Sequence, residues 1–160
     1  MKILTTKTFY KINTDNTVSF GSGTVIPQGF TEYTVGNEPI ELVNQLFKEA
    51  IAIKISEIKQ SFITATKSGF TCTNGITMDA DLTSIQTLKS GYDLAVKLGA
   101  TTMDITDYNN IDHLALPIAN VDTMLTELGV NYNTIRVKKN TLKKQAESAK
   151  TQAELDLIVW

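Results

Sequence analysis

PIANVDTMLTELGVNYNTIRVKKNTL, residues 117 to 142, is the stretch whose reading decides the fold of this chain. Ile118, Val121, Leu125, Leu128, Tyr132, Ile135 and Leu142 recur at alternating spacings of three and four, with Lys139 at the expected apolar position between the last two. That spacing gathers side chains onto one side of an α-helix, and a seam sustained over several turns is stable only when it meets another helix. Pro117 suits the start, because its fixed φ and missing N–H cost nothing in a first helical turn. The seam alone leaves open whether the facing helix belongs to the same chain or to a second copy.

Beyond that helix, Thr151-Gln-Ala-Glu154 has the form of a capping box, with Leu155 and Ile158 as the inward residues of a short terminal helix. Upstream, residues 39 to 68 predict another long helix. Phe47, Ile51, Ile55, Ile58, Phe62 and Ala65 form its stripe, and Gly69 is a suitable stop. Leu46, Ile53 and Ile63 fall off that stripe, so this helix is expected to be contacted on more than one side. Asn74-Gly75 between alternating apolar residues predicts a tight hairpin over 70–78. Asp79 or Asp81 then caps a helix with Leu82, Ile85, Leu88, Tyr92 and Val96 as its stripe and Gly99 just past its end, a third of the expected core. Residues 101–116, built around Asp104, Asp107, Asn109, Asn110 and Asp112, read as a loop or short irregular strand.

Residues 1–38 have a different character. Thr, Val, Phe and Tyr are punctuated by Asp15-Asn16, Gly21-Ser-Gly23, Pro27-Gln-Gly29 and Gly36-Asn37, which predicts short strands and turns, with Gly21-Ser-Gly23 itself a turn. Ile3, Phe9, Tyr10, Val18, Phe20, Val25 and Ile26 supply some apolar surface, too little for an independent core. This reads as a β-rich attachment arm, with Phe9, Tyr10, Phe20, Phe30 and Tyr33 as its candidate interaction residues. The expected architecture is α+β, mainly α: an antiparallel bundle of long helices in residues 39–160, a small β-hairpin, and the arm.

The residue inventory narrows the chemistry. A net charge of −2 over 160 residues removes the usual reason to expect nucleic acid as a partner. One cysteine, Cys72, and one histidine, His113, fall short of a four-ligand zinc site or an internal disulfide, and a reducing compartment is the natural expectation. The first ten residues interleave Thr and Lys with hydrophobes, unlike an export signal, and the apolar cluster near Ala50–Ile55 is broken by Lys54, so no membrane partner is expected. Asp104, Asp107, Asn109 and Asp112 offer oxygen ligands but lack the spacing, glycine and distal glutamate of a calcium loop, so they are read as turn residues. Cys72 inside a hairpin reads as a small buried hydrophobe, and His113 stands in no recognisable relation to a nucleophile. No cofactor, metal or catalytic residue is expected, and the chain is read as non-enzymatic. The one charge asymmetry is Arg136, Lys138, Lys139, Lys143, Lys144 and Lys150. It fits either an acidic partner surface, for which Arg136, Lys139 and Lys143 are the candidates, or a solvated outer face.

From Ala50 onward the order of features resembles a domain of unknown function found in tail-fibre-associated proteins of phages and prophages. A long helix leads into Phe70, the turn Asn74-Gly75, the acidic pair Asp79-Ala-Asp81, Ser84 and a second helix. Asp107-Tyr-Asn-Asn110 then stands for the family's Asp-Asn turn, Ile111–Leu116 for its hydrophobic strand, and Thr151–Leu155 for its Thr-x-x-Glu-Leu ending, while Met103 lies where that pattern carries an aromatic, often tryptophan. Gly29-Phe-Thr-Glu-Tyr33 before Glu38-Pro39 is similar to the leading segments of small phage tail proteins. The resemblance implies a location in the virion tail and a structural or attachment role beside other tail or fibre proteins, with a fibre-assembly chaperone as the alternative. It supplies no catalytic activity.

Overall fold

Residues 6–15 and 17–160 are described by a computed structural model; Ile3 and Asn16, named above as an apolar contributor and a turn residue, lie outside the described residues. Strands β1 (Lys7–Ile12), β2 (Val18–Gly23) and β3 (Thr31–Tyr33) precede the long helix α1 (Ile40–Lys67). Then come β4 (Phe70–Thr71), β5 (Thr77–Met78), α2 (Leu82–Lys97), β6 (Thr102–Thr106), β7 (Asp112–Pro117), α3 (Ile118–Ser148) and α4 (Gln152–Asp156). The class is α+β, mainly α, with small antiparallel sheets ordered β2-β1-β3, β4-β5 and β6-β7. The chain passes from strand to helix between Tyr33 and Ile40, whereas the division into compact units falls inside α1. One unit runs up to Lys54 and includes Ala149–Leu157; the other holds Ile55–Ser148 and Ile158–Trp160.

Among the described residues of the first unit, Phe9, Leu42 and Leu155 are the buried apolar side chains. Gly21-Ser-Gly23 is strand rather than turn, and packing explains why. Gly21 lies opposite Phe9, and a Cβ there would stand 3.0 Å from the Phe9 ring, so glycine makes room for the aromatic. The turns are Pro27–Phe30, closed by Phe30 N–H donating to the Pro27 carbonyl at 3.1 Å, and Thr34–Asn37, closed likewise at 2.9 Å. Gly29 (φ 82°) and Gly36 (φ 93°) take the left-handed position that each needs. Val25 is 75% exposed and Phe20 half exposed, so neither supplies much of the buried surface expected of the segment. The capping box before α4 forms: Thr151 Oγ1 accepts from Glu154 N–H, and Glu154 Oε2 accepts from Lys150 N–H, one residue earlier than the usual reciprocal bond.

The core of the second unit comprises Cys72, Met78, Ala80, Ile105, Met124 and Leu128, with Phe70, Ile76, Ile85, Leu88, Met103 and Leu116 packed around them. The α3 seam turns inward as expected, with Val121 and Leu128 wholly buried, and two residues outside the expected set, Met124 and Ala146, buried just as deeply. Lys139 belongs in the seam because its ammonium lies 4.6 Å from the Phe62 ring centroid while its stem remains half-buried. Phe62 also meets Tyr132 edge-on at 6.1 Å.

Two expectations need correction here. Helix α2 has no fully buried residue, and Leu82 and Val96 are about half exposed, so it covers the core's rim instead of supplying a third of it. On α1, Leu46, Ile53 and Ile63 are 39%, 61% and 42% exposed among the described residues, so the contact on a second side expected of them is not made within their own units.

Residues 101–116, read as a loop or short irregular strand, form two strands of an irregular hairpin, and the polar residues that suggested a loop are what build it. Asp107 N–H donates to the Ile111 carbonyl and Asn110 N–H to the Asp107 carbonyl, with Asn110 at φ 60°. The β4–β5 hairpin repeats the arrangement: Cys72 N–H donates to Ile76, Gly75 N–H to Cys72, and Gly75 sits at φ 84°. Both are three-residue loops ending in a left-handed residue, so Asn74-Gly75 makes a longer turn than the two-residue one its sequence favours. Asp104 Oδ1 holds Ala115 N–H at 2.7 Å beside the register shift between Met103 and Ile105, where Ala115 is at φ 53°.

Candidate functional site

In the three-stranded sheet, residues directly opposite one another share a face. Phe9 lies between Gly21 and Glu32, and Phe30 meets it edge-on at 5.4 Å; Lys7 and Glu32 pair at 2.9 Å on the same face. The other face carries Tyr10 opposite Phe20, Ile12 opposite Val18, and Thr8 opposite Tyr33. Tyr10 and Tyr33 stack edge-on at 6.1 Å. Phe20 (50% exposed) and Ile12 (46%) leave this a partly uncovered aromatic surface without a charged residue among those six. The five aromatic candidates therefore separate: Phe9 and Phe30 hold the sheet's inner side, whereas Tyr10, Phe20 and Tyr33 line the outer one. Alternation along β1 and β2 would have revealed the split once their register was known.

Each basic candidate on α3 has a contact of its own. Arg136 donates to Asn133 Oδ1 at 2.9 Å, Lys143 pairs with Glu147 at 3.4 Å, Lys138 stands 4.9 Å over the Trp160 ring, and Lys139 faces Phe62. Of these four cations only Lys143 meets an opposite charge; the amide and the two rings leave the charge of the other three in place.

Asp107 is buried and organises its turn. Its Oδ1 accepts from Asn109 N–H at 2.8 Å and Ile111 N–H at 3.0 Å, and its Oδ2 lies 3.1 Å from His113 Nε2. The Ile111 bond first, then His113 and Asn109, hold its carboxyl below the ordinary range against the opposing effect of burial. Asp112 accepts from Thr106 Oγ1 across the strands. Asp81 is the cap of α2, accepting from Thr83 N–H, Ser84 N–H and Ser84 Oγ, while Asp79 is not. Among the described residues, no group of three or more His, Cys, Asp or Glu is placed to hold a metal ion.

Cys72 is 3% exposed, and burial, then the Glu127 carboxylate, push its thiol up to about 11. Glu127 reaches from α3 to accept from Thr73 N–H and Thr73 Oγ1, tying the hairpin to the helix. Thiolate is the attacking form. Labelling of Cys72 near neutral pH in native buffer should therefore be at least about a hundredfold slower than in denaturant. Equal rates would show that the thiol is accessible and ionised.

The chain was compared with protein-family models, curated proteins and solved structures. None of them matches. No helix among the described residues is long and apolar enough to cross a membrane.

Proposed function

We propose that this chain is a non-enzymatic structural or attachment module of a bacteriophage tail, a tail-fibre or baseplate component that works by protein–protein contact. The observation that carries the reading is the outer sheet face of Tyr10, Phe20 and Tyr33, aromatic, uncharged and partly uncovered. Rigid aromatic side chains gain much by burial and lose little conformational entropy, which suits them to anchor a partner. In this reading the β sheet is the docking arm, α1 and α3 form the antiparallel bundle of the body, and the exposed side of α1 is covered by a tail partner or a second copy. The resemblance of residues 50–160 to tail-fibre-associated proteins supports the setting.

Mass spectrometry of purified virions should find the protein. Phe20→Asp should lower its incorporation at least about tenfold, with the helical circular dichroism of the isolated protein unchanged. Absence of the unaltered protein from virions, with capture on fibre chains during assembly, would replace this reading with that of an assembly chaperone. Hydrolysis of cell-wall polymer or glycan by the purified protein would overturn both.

A further inference from the structure

A cavity of about 370 Å³ opens between the start of α2, β5 and β6, entirely within the second unit. Met78, Leu88 and Met103 give it an apolar floor, and Gly91 leaves that floor open. Asp79 and Asp104 supply two carboxylates, and the lining contains no lysine, arginine or histidine. Neither aspartate forms an ion pair among the described residues.

The hydroxyls of the cavity sharpen its chemistry. Ser84 Oγ donates its proton to Asp81 at 2.7 Å, Thr87 Oγ1 to the Thr83 carbonyl at 2.9 Å, and Thr106 Oγ1 to Asp112 at 2.8 Å. A hydroxyl has one proton and two lone pairs, so each of these three has only acceptor capacity left. One Asp104 oxygen takes Ala115 N–H, and the carboxylate retains further lone pairs. The positive end of α2 does not reverse this balance, because the Asp81 carboxylate already sits on Thr83 N–H and Ser84 N–H. Thr83, the fourth hydroxyl of the lining, keeps its proton free to donate; the other three hydroxyls and the two aspartates make the wall otherwise rich in acceptors and negative in charge, above an apolar base.

We propose that this cavity binds an organic cation, a primary ammonium or guanidinium on an aliphatic stem, with the head between Asp79 and Asp104 and the stem on Met78, Leu88 and Met103. The size is that of a small-ligand site. A lysine or arginine side chain of another protein and a free alkylamine share this chemistry. The site is independent of the tail-attachment reading.

The test is titration of the full ¹⁵N-labelled chain with n-butylammonium and N-butylguanidinium, using n-butylurea as the neutral counterpart. Both cations should shift the amides of Thr83–Gly91 and Met103–Thr106 saturably, and n-butylurea should bind at least about fivefold more weakly. Asp79→Asn should weaken cation binding about fivefold, and Gly91→Leu should block it. A Cβ at Gly91 meets only Met103 Cε, at 3.6 Å, so the first atom of the new side chain fits beside the helix, and an unchanged helical circular dichroism of the variant confirms its fold. Equal binding of the neutral counterpart, shifts elsewhere, or unaltered binding by both variants would overturn the proposal. An end-blocked lysine peptide that binds more tightly than n-butylammonium identifies a protein side chain as the natural occupant; one that binds no better identifies a free amine.

Discussion

Leu128→Ala should cost about 3 kcal/mol of stability, read as a lower urea midpoint at unchanged slope. Leu128 is wholly buried on α3 within the cluster of Cys72, Met78, Ile105 and Met124. Truncation removes the transfer free energy of three carbons and leaves a cavity that neighbours from several elements cannot jointly fill. Alanine's better helix propensity recovers only a few tenths of a kcal/mol. Val130→Ala, two residues further along the same helix at a position 63% exposed, is the control and should change stability by less than about 0.5 kcal/mol. If the two substitutions cost the same, the core does not lie where Leu128 points.

Asp107→Ala should open the β6–β7 turn. The substitution takes the acceptor from Asn109 N–H and Ile111 N–H and leaves His113 without its carboxylate. Amide exchange at Asn109 and Ile111 should speed up about tenfold or more. Asp107→Asn keeps one acceptor oxygen and should lie between the two. The pH dependence has a definite sign. Because the folded-state carboxyl titrates below its unfolded value, its contribution is complete above the unfolded pKa of about 4 and is lost as pH falls through the lower folded value. Asp81 and Glu127 are lowered as well and act in the same direction. The thermal midpoint should therefore decline in acid below about pH 4, with a smaller share of that decline in Asp107→Ala. Unchanged exchange at both amides would show that the turn is held by its backbone bonds alone.

Helix positions were legible because each depends on its own residues. The α3 seam, the Thr151–Glu154 box and Gly99 after α2 are local patterns, and each stands where spacing puts it; of the two caps left open for α2, Asp79 and Asp81, the structure uses Asp81. The β6–β7 hairpin was partly legible: the turn at 107–110 and a strand after it were expected, but a run of Asp and Asn does not show the pairing with β6 unless one knows that Asp107 will close the turn and Asp104 the bulge. Both bonds depend on which backbone N–H groups come into reach. The outer face of Tyr10, Phe20 and Tyr33 was half legible: composition flagged the aromatics, and only pairing register separated them from Phe9 and Phe30.

Returning to residues 117–142, the sequence by itself determined that this stretch is a helix with one apolar side, because periodicity is a property of the chain alone. Tertiary structure decided what that side meets. It made Met124 and Ala146 core residues and set the Lys139 ammonium over Phe62. Burial is a property of pairs of surfaces, and a single helix's pattern cannot specify its partner.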